Sequence, residues 1–259
     1  MAKVKDIIKR IEEFAPLGLQ YPWDNSGFIT GDKEKEVKKV YITLDMFKEN
    51  IDEAIKVGAD MIVSHHPILF KGIQKVDYNS QQGYILKELI RNDIALYSAH
   101  TSMDCARYGI NEVLATKLGL EECEVIEKKD GFVGRGLGRI GNLKNSVTLK
   151  EYAELVKTRL NTPFVRVSGD LERTVKRVGV GGGACDDLIP EAILMGADVF
   201  VTADMKYHIT ADSVDSGIAV IDAGHYPTEV FVIDIFEDIL KGLDIEIVKS
   251  TEIDIFKVI

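Results

Sequence analysis

Residues 31–66 read GDKEKEVKKVYITLDMFKENIDEAIKVGADMIVSHH, and residues 169–204 read GDLERTVKRVGVGGGACDDLIPEAILMGADVFVTAD. A gapless shift of 138 residues relates the two stretches, and 14 of their 36 aligned positions are identical. The identities include GD at the start, VK and a valine in a β-branched run, EAI in an apolar stretch and GAD before a second β-branched run. This internal repeat indicates that the fold contains two copies of one supersecondary unit.

The pattern of each copy is strand, helix, strand. VKKVYIT and VKRVGVG are short runs typical of strands buried in a sheet. In the first copy, Ile51, Ala54 and Ile55 then recur three to four residues apart, as on one helix face. Gly58 and Gly196 stand where a helix C-terminal glycine is expected, before the runs MIVS and VFVT. Each copy therefore predicts a βαβ crossover between parallel strands.

The similarity of the two halves extends beyond the repeat. IALYSAH at 94–100 and AVIDAGH at 219–225 predict a third strand in each half, and both end in histidine. Upstream, VKDIIKRIEEF and VTLKEYAELVKTRL predict amphipathic helices, the second with a capping box formed by Thr148 and Glu151. The glycine-rich segment 131–141 predicts a strand pair with a turn rather than a flexible tether.

These patterns predict an α/β fold with an internal duplication. We expect two similar α/β halves, residues 1–125 and 126–259, each with a mixed, largely parallel sheet flanked by helices. The segment where they join is not rich in proline or serine, so the halves are expected to pack tightly.

The composition excludes several classes of protein. The chain has 259 residues, 46% hydrophobic and 29% charged, with a formal net charge of −10, and this acidity argues against nucleic-acid binding. The N-terminus lacks the features of a signal peptide, and no apolar run is long enough to span a membrane. Three cysteines without a CxxC pair support neither a disulfide framework nor a zinc ribbon. We therefore expect a cytoplasmic protein without nucleic-acid or membrane partners.

All five histidines follow predicted strands. His65 and His66 follow MIVS, His100 and His225 follow the third strand of each half, and His208 comes shortly after VFVT. In parallel sheets, ligands bind beyond the carboxyl ends of the strands. If the adjacent histidines both bind a metal, the chain must leave strand geometry there, since neighbouring side chains on a strand point to opposite faces. The histidines therefore mark a candidate binding site.

Two of these histidines have an acid four residues later, in corresponding places of the two halves. The pairs are His100 with Asp104 and His225 with Glu229. One such pair alone is accounted for by a helix-capping acid beside a loop histidine, but two pairs together with the adjacent histidines indicate a metal site. Imidazole suits transition metals, and carboxylates can bridge two ions. Because such ions lower the pKa of bound water, the expected reaction class is hydrolysis.

The histidine motifs resemble those of a known family. SHHP (64–67), AHTSMD (99–104) and GHYPTE (224–229), with WDNSGFITGD (23–32), resemble the Nif-three-like family, whose members are also called GTP cyclohydrolase I type 2 homologues. The motifs span most of the chain, and their order and spacing are specific. The resemblance implies a dinuclear metal site in the cleft between two similar α/β halves. It also implies a homo-oligomer, in the form of a toroidal hexamer.

The resemblance also implies roles for individual residues. The implied metal ligands are His65, His66, Asp104, His225 and Glu229. His100 is implied to be a further ligand, a hydrogen-bond partner of a ligand or a proton shuttle. The candidate catalytic residues are His100, Asp104 and Glu229. Two divalent ions are expected, and this ligand chemistry serves Zn, Fe, Mn and Ni alike. The family name implies GTP ring opening, so the expected small-molecule substrate is a nucleotide or a pterin.

The candidate substrate contacts lie after the same predicted strands. Asp45 follows the first strand of the first copy, and Gly182 lies in the glycine-rich turn 181–183 of the second copy. That turn is typical either of close approach to a substrate phosphate or of a tight strand-to-helix turn beside the cleft. Lys206 is a candidate phosphate contact or a solvated lysine, and His208 follows it closely.

One position departs from the family pattern. Many relatives carry a Gly-Glu pair after the second-half strand, where this chain reads Ala203-Asp204. Asp204 is therefore the candidate replacement for that acid, with a shorter reach. Trp23, the one tryptophan of the chain, is expected to be a packing residue rather than a stacking platform.

Two functions remain open from the sequence. The first is a metal-dependent hydrolase that acts on a nucleotide-like or phosphorylated small molecule. The second is a non-catalytic protein that binds or delivers metal or acts as a regulatory partner. An enzyme needs an open coordination position and nearby groups that recognise substrate. The titratable residues after the strands exceed what metal storage needs, and this favours the enzyme.

Overall fold

The computed structural model describes residues 1–251 and 253–258. Its contacts divide the chain into two units. The first unit consists of Met1–Ala106 and Val232–Ile253, and the second of Arg107–Phe231 and Asp254–Ile259.

Helices and strands alternate along most of the described chain. The helices are α1 (Val4–Phe14), α2 (Lys48–Val57), α3 (Gln81–Arg91), α4 (Thr101–Cys105), α5 (Ile110–Lys117), α6 (Leu149–Arg159), α7 (Ile189–Leu194), α8 (Tyr207–Asp215), α9 (His225–Glu229) and α10 (Val232–Leu240). The strands are β1 (Ala2–Lys3), β2 (Gly27–Thr30), β3 (Glu36–Val37), β4 (Lys39–Thr43), β5 (Met61–Ser64), β6 (Ala95–Ser98), β7 (Leu120–Lys128), β8 (Gly136–Thr148), β9 (Arg166–Ser168), β10 (Thr174–Val180), β11 (Val199–Thr202), β12 (Ala219–Asp222) and β13 (Glu246–Lys249). Two 3-10 turns lie at Leu17–Leu19 and Asp186–Leu188.

The first unit contains a five-stranded sheet in the order β13-β4-β5-β6-β2. β13, β4, β5 and β6 are parallel neighbours, and β2 is antiparallel to β6. A separate antiparallel pair joins β1 to β3. Side chains from strands and helices form the core beside the sheet, among them Tyr41, Ile51, Ile62, Leu89 and Leu96. The sheet is therefore mixed but largely parallel, as the sequence predicts.

The second unit contains a six-stranded sheet in the order β7-β8-β10-β11-β12-β9. β10, β11 and β12 are parallel neighbours, while β7, β8 and β9 are antiparallel to their neighbours. The predicted strand pair around residues 131–141 is confirmed, since β7 and β8 form a hairpin there. The core beside this sheet includes Ile140, Leu188, Ala192, Phe200 and Val220.

The strand pairing confirms the repeat. Val40 pairs with Met61 in the first unit, and Val178 pairs with Val199 in the second, so the register is conserved under the shift seen in the sequence. In both units the third parallel strand is followed on its outer side by an antiparallel edge strand, β2 in one and β9 in the other. The two βαβ crossovers and the third strands are thus where the sequence predicts them.

The repeated GAD sequence has a structural reason. Asp60 Oδ2 accepts hydrogen bonds from the backbone N–H groups of Lys38 (2.8 Å) and Lys39 (3.0 Å). Asp198 Oδ2 accepts the same two bonds in the second unit, each at 2.8 Å. Each aspartate directly precedes one parallel strand and therefore ties the start of that strand to the backbone of the preceding parallel strand. The glycine before it, Gly58 or Gly196, ends the intervening helix segment in the left-handed conformation, with φ of 71° and 81°.

The predicted upstream helices are also confirmed. α1 covers the segment VKDIIKRIEEF, and α6 begins after Thr148. In the capping box, the Thr148 N–H donates to Glu151 Oε2 (2.8 Å) and the Glu151 N–H donates to Thr148 Oγ1 (3.2 Å). None of the described helices is long and apolar enough to cross a membrane.

The two units do not follow the predicted halves 1–125 and 126–259. The segment Val232–Ile253 lies in the first unit because β13 pairs with β4 and α10 packs against α1. The segment after Ala106 lies in the second unit, where β7 pairs with β8. The halves stay a prediction about the duplication, whereas the units describe which residues contact one another.

Candidate metal centre

His65 follows β5, and hydrogen bonding fixes its ring. Its Nδ1 lies 2.8 Å from the carbonyl oxygen of Ala99, and the residue is buried. A carbonyl oxygen can only accept, so Nδ1 donates and Nε2 is the nitrogen of the neutral ring that can ligate a metal. Nε2 lies 3.8 Å from Oδ1 of Asp104, a buried acid on α4.

His66 is oriented by a carboxylate. Its Nδ1 lies 2.7 Å from Oδ1 of Asp45, which follows β4. The acceptor again places the hydrogen on Nδ1 and the lone pair on Nε2. β5 ends at Ser64, so the adjacent histidines lie beyond regular strand geometry, as a shared ligand role requires. Asp45, predicted as a substrate contact, therefore lies against the His66 ring.

His100 follows β6 and is held by Asp24. Its Nδ1 lies 2.9 Å from Asp24 Oδ1, and Asp24 Oδ2 accepts from the Thr101 hydroxyl (2.6 Å) and N–H (3.0 Å) and from the Ser26 hydroxyl (2.8 Å). Burial by itself would raise the pKa of Asp24, but the bonds from His100, Thr101 and Ser26 hold that pKa well below its usual range. Asp24 is therefore ionised and fixes the His100 tautomer.

The three rings of the first unit converge. The ring centroids lie 4.8 Å apart for His65 and His66, 5.2 Å for His65 and His100, and 5.4 Å for His66 and His100. Each ring offers one nitrogen, and these nitrogens lie within 4.8 Å of one another. Neutral imidazoles whose other nitrogen donates to a carboxylate or carbonyl are the usual protein ligands of transition metals. The donor set therefore fits a metal ion.

The second unit holds a smaller donor set on α9. His225 Nδ1 lies 2.7 Å from Asp204 Oδ2, and His225 Nε2 lies 2.9 Å from Oε2 of the buried Glu229. Asp204 lies at φ 57°, in the left-handed region, directly after the turn that leaves β11. Its carboxylate orients the His225 ring, as Asp45 orients His66. Asp204 thus holds the His225 ring in place.

The glycine turn 181–183 packs against the same helix. Gly183 has φ 63°, and a Cβ atom there would lie 2.2 Å from Glu229 Oε1. Its N–H donates to Thr228 Oγ1 (3.0 Å), and the Gly182 N–H donates to Asn111 Oδ1 (2.9 Å). Glycine is therefore required at position 183 because the turn closely approaches the Glu229 carboxylate.

Comparison with the sequences of known proteins identifies the family of this chain. The sequence pattern of Duf34/NIF3 (NGG1p interacting factor 3) matches residues 2–255. The chain belongs to the Duf34/NIF3 family. It is 34% identical over 253 residues to the GTP cyclohydrolase 1 type 2 homolog of Clostridium perfringens, covering 96% of this chain and 97% of that protein. It is 38% identical over 228 residues to the homolog of Clostridium acetobutylicum, covering 88% and 85%.

Solved structures agree with the Duf34/NIF3 assignment. The Bacillus cereus protein related to NIF3 superposes with a TM-score of 0.90 and 26% identity, covering 100% of this chain and 99% of that chain. Reduced HcgD from Methanocaldococcus jannaschii superposes with a TM-score of 0.83 and 33% identity, covering 97% and 98%. The family resemblance of the motifs is therefore confirmed.

Two of the predicted substrate contacts in this Duf34/NIF3 chain lie on an exposed helix end. Lys206 precedes α8 and His208 lies in its first turn, with the His208 ring 5.4 Å from that of Tyr207. Within the described residues, neither belongs to a group of clustered metal donors. Their substrate role stays a prediction.

Sequence reasoning missed Asp24 as a functional residue. It stands in the segment WDNSGFITGD, which carried part of the Duf34/NIF3 resemblance, but its partner His100 lies 76 residues further along the chain. The signal that could have identified it is an acid within that motif, three residues before the β2 strand that pairs with β6. His100 lies two residues after the end of β6.

Proposed function

We propose that the protein is a metal-dependent hydrolase that acts on a nucleotide-like or phosphorylated small molecule. The observation that carries the proposal is the convergence of the His65, His66 and His100 rings, each held through Nδ1 by an acceptor of its own unit. Fixed rings of this kind are built before a ligand arrives, and such preorganisation is what a catalytic centre needs.

The proposed site binds two divalent ions, Zn, Fe, Mn or Ni. Its ligands are His65, His66, Asp104, His225 and Glu229. Two features support the proposal: each unit has a histidine with an acid four residues later, and both acids are buried. Buried carboxylates are costly unless a cation or hydrogen-bond donors offset the charge. The dinuclear arrangement, the small-molecule substrate and a hexameric assembly are parts of the proposal.

The chain's own residues have distinct tasks in this proposal. Bound divalent ions would supply Lewis acidity and lower the pKa of water. Asp45 and Asp204 hold the rings of His66 and His225 in the tautomer that ligates through Nε2. His100 is not among the proposed ligands; it exchanges a proton with substrate at Nε2, and the ionised Asp24 stabilises the imidazolium that results.

Metal analysis of purified protein tests the site. We expect close to two transition-metal ions per chain, and His65→Ala and Glu229→Ala should each lower that content, because each substitution removes a ligand from one unit. His208→Ala is the matched control, since that histidine lies outside the clustered donors of the described residues. Full metal occupancy in both ligand variants contradicts the assignment.

A turnover screen separates the enzyme from a metal-binding protein. Metal-loaded protein is incubated with nucleotides, pterins and phosphoesters, and Asp104→Ala should abolish any hydrolysis that the wild type shows. Absence of turnover over the whole panel, with metal content intact, favours metal binding, delivery or regulation instead.

A further inference from the structure

Two exposed aromatic side chains lie beside the histidine cluster of the first unit. Trp23 is 60% exposed and Phe70 is 45% exposed. The expectation that Trp23 is a packing residue is therefore wrong. Large apolar side chains in contact with solvent are unfavourable in themselves, and a group of them at a polar site is typical of a binding surface.

Both aromatic rings contact the same imidazole. The Trp23 and His100 centroids lie 5.9 Å apart at an interplanar angle of 69°, and the Phe70 and His100 centroids lie 5.5 Å apart at 78°. These are edge-to-face contacts, which leave much of the surface of each aromatic side chain in solvent. The two exposed aromatic side chains therefore lie directly beside His100, which is one of the clustered histidines.

The two aromatic residues are held by their neighbours in the sequence. Asp24, directly after Trp23, binds His100, and Asn25 Nδ2 donates to the carbonyl oxygen of Leu69 (2.6 Å), directly before Phe70. The Tyr21 ring also stacks on Trp23, with centroids 5.9 Å apart at 27°. The loop with Trp23 is therefore tied to both the histidine and the loop with Phe70. Fixed positions reduce the entropy lost on binding.

We propose that Trp23 and Phe70 form a stacking site that positions a planar aromatic heterocycle of the ligand beside His100. Stacking suits such a ring because every heteroaromatic ring has a π face, whatever its substituents. A nucleobase and a pterin share this chemistry, whereas a sugar phosphate lacks it. The site deepens the proposed function, on which its link to hydrolysis rests, by naming the part of the substrate that the protein recognises.

The single tryptophan of the chain makes the test direct, since intrinsic tryptophan fluorescence reports on Trp23 alone. Guanosine 5′-monophosphate should quench this fluorescence in a saturable way, and ribose 5-phosphate, which has the same sugar phosphate without the ring, should not. Binding of 6-hydroxymethylpterin is followed by calorimetry because pterins absorb in the same range. Equal binding of ribose 5-phosphate, or no binding of either heterocycle, overturns the proposal.

Variants then assign the binding to the aromatic pair. Phe70→Leu should weaken heterocycle binding about tenfold, while Phe164→Leu, at a phenylalanine of the second unit that is 44% exposed, should leave it unchanged. Trp23→Ala, followed by calorimetry, should give a similar loss. Equal affinities of the Phe70→Leu and Phe164→Leu proteins for the heterocycle contradict the stacking site. A change of molecular mass in Trp23→Ala, measured by light scattering, also contradicts it, because Trp23 would then be a subunit contact.

The same measurements separate this site from the proposed hydrolase. Heterocycle binding that needs Trp23 and Phe70, without any turnover, leaves the stacking site standing and removes the hydrolase. If Phe70→Leu and the wild type hydrolyse phosphoesters that lack an aromatic ring with the same efficiency, the hydrolase stands and the stacking site is contradicted. Metal content of the Phe70→Leu protein should equal that of the wild type.

Discussion

The two units arrange donor and acceptor residues differently on one repeated scaffold. In the first unit, Asp45 follows the first parallel strand and accepts from His66, which follows the second. At the equivalent positions of the second unit stand Gly183 and Asp204, and Asp204 accepts instead from His225 after the third strand. The acid has moved by one strand, and so has the histidine that it orients. The repeat thus preserves backbone positions while their chemistry is redistributed.

The space that side chains occupy at the end of the first parallel strand also differs between the units. The first unit has a carboxylate at position 45, whereas the second has no side chain at 183 and Glu229 lies where a Cβ would be. The acid on the short helix is also longer in the second unit, glutamate at 229 against aspartate at 104. The glycine makes room for the longer acid, which explains why the two turns differ although their strands match.

The largest effect in this comparison is expected from Gly183→Ala. The added Cβ lies at φ 63° and 2.2 Å from Glu229 Oε1, so backbone strain adds to displacement of the acid. We expect unfolding free energy to fall by about 3 kcal/mol, measured by urea denaturation, together with a loss of metal content.

Gly58→Ala is the matched control for that change. Gly58 also has a left-handed φ, of 71°, but a Cβ there meets nothing within 4 Å. Only the backbone cost of about 1 kcal/mol should remain, with metal content intact. Equal losses of stability for the two substitutions would show that contact with Glu229 is not what requires the glycine.

An intermediate effect is expected from neutralising the two orienting acids. Asp45→Asn and Asp204→Asn should each lower metal affinity by about 10–100-fold. An asparagine can donate from its NH₂ group to Nδ1 of the histidine, and the ring then no longer keeps its hydrogen on Nδ1 and its lone pair on Nε2. Chelator competition measures the affinity, and Asp187→Asn, at an exposed acid outside the clustered donors of the described residues, is the control. If Asp204→Asn alone has no effect, the two acids are not equivalent.

The smallest effect concerns a feature that the units share. Asp60→Ala and Asp198→Ala each leave two strand N–H groups without their side-chain acceptor, and each should cost about 1–2 kcal/mol of unfolding free energy. The backbone hydrogen bonds of the two sites match, but Asp198 also forms an ion pair with Arg173 (3.7 Å). The two costs should therefore agree within about 1 kcal/mol, with Asp198→Ala the larger, and they should add in the double variant. A large difference between the two costs would mean that the two units differ in energy although their strand registers match.

The sequence predicted the elements that repeat, and it missed those that do not. Strand and helix positions follow from local apolar periodicity, and the duplication shows the same periodicity twice in the sequence. The pairing of Asp24 with His100 has no counterpart in periodicity, because it joins residues 76 positions apart. The exposure of Trp23 depends on tertiary packing, which residue type alone does not determine.

The predicted halves and the observed units differ for a similar reason. The repeat ends at residue 204 and contains no information about where later segments pack. α10 and β13 join the first unit because β4 offers an edge for parallel pairing. Pairing between distant strands is set by complementary edges and apolar faces, which a pattern within one segment does not show.

The position of β13 has a consequence for synthesis on the ribosome. The first unit combines Met1–Ala106 with Val232–Ile253, whereas almost all of the second is the continuous segment Arg107–Phe231. One edge of β4 therefore stays uncovered until β13 has been translated, and open strand edges promote association between chains. The segment Arg107–Phe231 can fold as it emerges, whereas β4 must wait for β13 to complete its pairing.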